Sequence, residues 1–97
     1  MRFEIVFAPE AVEDFKALGP NRRAKLRAAL ETHLRHEPTK ASKSRIKRLR
    51  GLRRPQYRLR VEDVRVFYDV STTTVEILAI VAKSEAQAWL ARFGSPG

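Results

Sequence analysis

At 97 residues, 43% hydrophobic and 32% charged, the chain suits one domain with one modest core and is not a disordered tail. It has no cysteine, only two histidines and no cluster of acids and histidines at metal-ligand spacing, which excludes disulfides and thiolate metal sites and argues against metal catalysis; no cofactor or metal is expected. Twenty Lys and Arg against eleven acids leave a net charge of +9, a field that favours polyanions, either nucleic acid or an acidic protein partner. No apolar run reaches transmembrane length and the start MRFEIVF alternates, so a soluble cytoplasmic protein is expected.

In chain order, RFEIVF puts Phe3, Ile5 and Phe7 on one face of a first strand. Pro9 suits a first helical turn, and Val12, Phe15 and Leu18 recur at helical spacing until Gly19-Pro20 ends the helix. A second helix is expected from about Asn21 to His36, with Leu26, Leu30 and Leu34 on one stripe, and the short break predicts an antiparallel helical hairpin. Thr39 to Ser44 reads as a polar linker. Ile46 and Leu49 are apolar anchors in a basic loop or short strand closed by Gly51.

Two alternating strands follow, Tyr57–Val61 and Val64–Val70, around Glu62-Asp63. The nearly continuous apolar run Val75 to Ala82 predicts a central strand covered on both faces. SEAQ, Ser84 to Gln87, has capping-box spacing and opens a short helix carrying Trp89, Leu90 and Phe93. The expected fold is α+β, a mostly antiparallel sheet packed against an N-terminal helical hairpin in the order β-α-α-β-β-β-α, with residues 1–97 forming one domain.

The chemistry concentrates between Lys43 and Arg60, where nine basic residues run without one acid. Strand parity turns Arg58 and Arg60 away from Tyr57, Leu59 and Val61. If Val61 opposes Val64, Arg60 lies opposite Arg65, and like charges directly opposite are destabilising. Folding alone gives no reason for that arrangement, whereas guanidinium groups bind phosphate oxygens in bidentate fashion. On this reading Arg65→Ala relieves repulsion and leaves the fold intact. Phe67 shares the face with Arg65, either as an RNA-stacking platform or as packing. Trp89 is expected to pack the last helix on the sheet, and His33 and His36 to lie apart from the arginines on the second helix.

The segments IVFAPEAVEDFKAL, IKRLRG, YRLRVEDVRVFYDV and VEILAIVAK together resemble the RelE/ParE superfamily of bacterial and archaeal toxin–antitoxin toxins. The resemblance implies a metal-independent endoribonuclease that cleaves messenger RNA in the ribosomal A site through attack of a 2′-hydroxyl. A ParE-like inhibitor of DNA gyrase and a degenerate toxin that keeps only antitoxin binding are the alternatives. The resemblance implies catalytic roles for Arg58, Arg60 and Arg65 and an acidic antitoxin as partner alongside ribosome and messenger RNA; Lys83, at the end of the predicted central strand, is a further catalytic candidate from its position. Lys43, Arg45, Lys47, Arg48, Arg50, Arg53 and Arg54 are expected to contact RNA together with Phe67. Two positions depart from the RelE-type pattern: Ser84 stands where an arginine is common, and Trp89 and Leu90 stand near where a tyrosine is common.

Overall fold

The computed structural model describes residues 1–97. Alternation in β1 (Glu4–Phe7) turns Ile5 and Phe7 toward the core and leaves Glu4 and Val6 outside. Helix α1 (Pro9–Ala17) starts on Pro9, whose missing N–H costs nothing in a first turn, and Glu10 complements the helix dipole there. Leu18 and Gly19 are extended, so the chain reverses at once into α2 (Pro20–Leu34). The stripe Leu26, Leu30 and Leu34 is buried, because a spacing of four keeps these side chains on one side of the helix.

The remaining elements are β2 (Ile46–Arg48), β3 (Leu52–Arg54), β4 (Tyr57–Val61), β5 (Val64–Val70), β6 (Thr74–Ala82), a 3₁₀ turn (Lys83–Glu85), α3 (Ala86–Phe93) and β7 (Ser95–Pro96). Five strands form one sheet in the order β1-β6-β5-β4-β2. β1 runs parallel to β6 and every other pair is antiparallel, so the α+β architecture expected from the sequence holds. The helical hairpin covers one face, where Ala11, Leu26, Leu30 and Leu34 meet Ile46, Leu59, Val64, Val66, Tyr68, Val75, Ile77 and Ile80. On the opposite, outer face α3 lays Trp89 flat on Phe67, with ring centroids 4.9 Å apart and planes 9° apart. β6 is therefore covered on both sides, as its apolar run implies.

Of the two alternatives for Ile46 the short strand forms, while two other local features differ from the spacing-based reading. Ile46–Arg48 is a strand, paired with β4, and the polar segment before it is tied down by the Tyr68 hydroxyl, which donates to the Pro38 carbonyl at 2.7 Å. The capping box does not form: Ser84 sits inside the 3₁₀ turn, and α3 begins without a side-chain cap. Finally, β3 and β7 pair in a small ribbon with no counterpart in the sequence reading. It exists because α3 brings the C-terminal residues back to the Gly51 turn, where φ is +77°. A side chain at Gly94 would lie 2.6 Å from the Leu90 carbonyl oxygen and 3.3 Å from Leu52, so glycine permits that close return.

The register of β5 and β6 shifts by one residue between Phe67 and Tyr68, which inserts Leu78 on the β6 side. Beyond the shift, the Ile80 N–H donates to the Asp14 carboxylate at 2.9 Å and ties α1 to the sheet. Removing that acceptor leaves a partly buried N–H unpaired. Asp14→Ala should lower stability in urea unfolding by about 1–3 kcal/mol, and Asp14→Asn, which keeps an acceptor, by less. Equal losses would show that charge, not the hydrogen bond, is what matters there.

Candidate nucleic-acid interface

The β4–β5 hairpin pairs Val61 with Val64 and Arg60 with Arg65, and Arg58 stands opposite Phe67. Only two residues, Glu62 and Asp63, make the turn, and Glu62 takes the left-handed conformation at φ 56°. Positive φ at the first central position is the pattern of a II′ turn, which normally places glycine there. On the other side of β4, β2 pairs Lys47 with Arg58, and the Arg60 N–H donates to the Arg45 carbonyl at 2.9 Å. The outer face thus carries Arg60 opposite Arg65, beside a row Lys47–Arg58–Phe67, while Arg45 immediately precedes β2 and its charge acts on His33 of α2. The backbone pairing of Arg45 with Arg60 was missed by sequence reasoning.

These cations have no carboxylate partner. Asp63 is held by Arg22, Glu62 by Lys25 at 3.4 Å, and Asp69 by Arg54 at 3.1 Å. None of the seven ion pairs includes Arg45, Lys47, Arg58, Arg60, Arg65 or Lys83. Arg65 is the extreme case, 7% exposed, with Nη1 donating to the carbonyls of Glu62 at 2.9 Å and Val64 at 3.0 Å. Burial, then the neighbouring charges of Arg58 and Arg60, disfavours its charged form and holds its pKa below the usual arginine value. The Nε of Arg58 is shielded from solvent and donates to no acceptor in the protein. A buried donor without an acceptor is costly, so this position carries a local energetic penalty.

The other residues expected at the site divide. Lys83 lies beside the hairpin turn, its N–H donating to the Asp63 carbonyl at 2.7 Å. Lys43 is exposed in the segment preceding β2, and Arg50 and Arg53 are exposed around β3. Arg48 lies on the core-side parity of β2 and stacks over the Tyr57 ring at 5.1 Å. Arg54 is paired with both Asp69 and Glu76, unlike the other cations of the basic run. Phe67 is 0% exposed beneath Trp89, so the packing alternative holds and the ring offers no platform in this conformation. The cleft of about 400 Å³ lined by Ile5, Phe7, Val12, Phe15 and Leu30, with Arg27, Glu31 and Arg35, lies on the hairpin side, away from Arg58, Arg60 and Arg65.

The fold is an α+β sheet under a helical hairpin, with an uncompensated cationic outer face. The comparisons place the chain more closely. Residues 5–87 match the family described as the ParE toxin of type II toxin–antitoxin system, parDE. The chain belongs to that family, within the RelE/ParE toxin superfamily, and is the toxin of a type II toxin–antitoxin system. The fold is similar to that of a mutant of the Escherichia coli toxin RelE in the free state, with 19% identity, a TM-score of 0.70, and coverage of 96% of this chain and 99% of that one. It is also similar to an archaeal RelE–RelB complex from Pyrococcus horikoshii, with 24% identity, a TM-score of 0.64, and coverage of 86% of this chain and 97% of that one. The YoeB dimer from Staphylococcus aureus aligns with 21% identity and a TM-score of 0.64, covering 84% of this chain and 97% of that one. Comparison with curated protein sequences gives no match. No helix is long and apolar enough to cross a membrane.

Burial reverses the stability expected of Arg65→Ala. Relief of repulsion is worth about 0.2–1 kcal/mol, whereas two charge-assisted hydrogen bonds and the packing of the buried stem are lost. Net destabilisation of about 1–3 kcal/mol is expected in urea unfolding. Arg60→Ala, at an exposed position, should be neutral or slightly stabilising. If Arg65→Ala is the more stable of the two, repulsion outweighs burial.

A second test concerns half-buried His33, whose pKa is lowered by burial and then by Arg45. Its charged form is disfavoured in the fold, so the unfolded chain binds the proton more readily. The stability at stake is present above pH 6.5 and is lost as pH falls through the depressed folded pKa. His33→Asn should flatten that acid slope in unfolding measured against pH, and an unchanged slope would assign it to other groups.

Proposed function

We propose that this toxin acts on messenger RNA as a metal-independent endoribonuclease, with Arg58, Arg60 and Arg65 as the phosphate-binding groups. One observation carries the reading: three guanidinium groups share one sheet face, and every nearby carboxylate is held elsewhere. In cleavage of this kind the 2′-oxygen attacks the adjacent phosphorus and the 5′-oxygen departs, leaving a cyclic phosphate. Negative charge grows on the phosphoryl oxygens in the transition state, and cations already fixed in a partly buried site stabilise it without reorganising. Arginine is a poor proton acceptor, so the arginines bind and stabilise; the 2′-hydroxyl proton passes to solvent water, and Lys83 beside the turn is the candidate to donate a proton to the departing 5′-oxygen.

A second reading, inhibition of DNA gyrase by binding, is favoured by the ParE family match and by the absence of a free carboxylate or histidine among the paired residues of the arginine face. Under either reading an acidic antitoxin is the natural partner of a chain at +9, since opposite charge speeds encounter and masks the basic face. Ribosome dependence belongs to the nuclease reading alone.

Arg58→Ala and Arg60→Ala should each reduce growth inhibition on induction, with a loss of about 10²-fold in cleavage and little change in melting. Primer extension on messenger RNA after induction should reveal new 5′ ends that disappear in both variants. Intact messages, together with loss of gyrase supercoiling activity in vitro, would overturn the nuclease in favour of gyrase inhibition.

A further inference from the structure

Arg54 stands apart from every other cation in the basic run, because two carboxylates grip it. Its Nε lies 3.1 Å from Asp69 Oδ2, and its Nη2 lies 3.1 Å from Glu76 Oε1. Asp69 and Glu76 are directly paired across β5 and β6, and Asp69 shares strand parity with Arg65 on the outer face. The grip extends into the backbone. The second oxygen of Asp69 accepts the Gln56 N–H at 2.7 Å, and the Gln56 side chain accepts the Val70 N–H at 2.9 Å. The Gln56 carbonyl accepts the Leu49 N–H at 2.9 Å and Arg48 Nη1 at 3.2 Å. Both ends of segment 49–55 are thereby fastened to the sheet, and its middle is held by the β3–β7 ribbon.

What is fastened is strongly basic. Arg50 and Arg53 are exposed and enter no ion pair and no side-chain hydrogen bond. A segment meant only to connect two strands does not need so many anchors, and a loose basic loop would lose conformational entropy on binding a ligand. Asp69 is four residues from Arg65 along β5, about 13 Å at the rise of an antiparallel strand. The segment therefore stands at the far end of the same face as the arginines.

We propose that Asp69 and Glu76 are positioning residues. By clamping Arg54 they hold residues 49–55 as a pre-ordered cationic arm, whose Arg50 and Arg53 make a second contact with the phosphate backbone of single-stranded RNA. This rests on the RNA-directed reading of the arginine face and adds to it a contact outside the reacting groups.

The test has a sign that separates the clamp from the overall field. Asp69→Asn combined with Glu76→Gln raises the net charge from +9 to +11, and field alone would then tighten RNA binding. The clamp requires the opposite. Anisotropy with a short fluorescein-labelled single-stranded RNA should show binding weakened several-fold, and hydrogen exchange should show the amides of 49–55 losing protection while the rest of the sheet keeps it. In the parent background, Arg50→Ala with Arg53→Ala should lower the salt slope of binding by about 1.4, the value for two single-strand phosphate contacts. In the neutralised background the same pair should change it little. Tighter binding with unchanged exchange overturns the clamp. Should the double variant not fold, Glu76→Gln alone, at a side chain 43% exposed, carries the same comparison. If the parent protein binds no RNA in a salt-dependent way, the RNA-directed reading falls and this proposal with it. If the parent binds and only the Arg50 and Arg53 changes are silent, the arm alone falls.

Discussion

The register of one hairpin governs this molecule. Because only Glu62 and Asp63 reverse the chain, Val61 must face Val64, and every later pair along β4 and β5 is then decided. A slip of one residue would turn Leu59, Val66 and Tyr68 to the outer face and bring the arginines into the core. Burying each such apolar side chain is worth about 1.5–3 kcal/mol, whereas a like-charge pair across strands costs a fraction of a kcal/mol to about 1. Core burial therefore wins, and Arg60 is held opposite Arg65 despite their repulsion.

The same balance explains why the repulsion is not relieved locally. The nearest carboxylates, Glu62 and Asp63, point to Lys25 and Arg22 on α2, and so join the hairpin tip to the helical layer. Each exposed pair contributes little, about 0–1 kcal/mol, but together they keep both acids away from the arginines. At the other end of the face Asp69 and Glu76 are consumed by Arg54. Charge is thus sorted across the sheet, with acids used as structural ties and the cations of β2, β4 and β5 left free.

Helix α3 sits between these two regions. Trp89 covers Phe67 and is in turn flanked by Phe93, which is itself 55% exposed. This aromatic stack offers no group able to exchange a proton. Membership of the ParE toxin family and similarity in fold to RelE and YoeB are both consistent with one scaffold whose outer face is specialised by a few side chains.

Spacing along the chain by itself determined the helical hairpin with its Leu26, Leu30 and Leu34 stripe, the parity of β4 and β5, and the opposition of Arg60 to Arg65. Those features depend on local periodicity and on a turn too short to permit another register. Tertiary structure alone decided that β2 joins the sheet and adds Lys47 to the arginine face, that Phe67 lies under Trp89, and that Arg54 is gripped by Asp69 and Glu76. It also decided the β3–β7 ribbon and the failure of the capping box at Ser84. Each of these depends on which distant element arrives beside a residue, and neither residue type nor period carries that information. A charge run reads the same in sequence whether its members face solvent or a carboxylate; only the folded register separates Arg54 from Arg58.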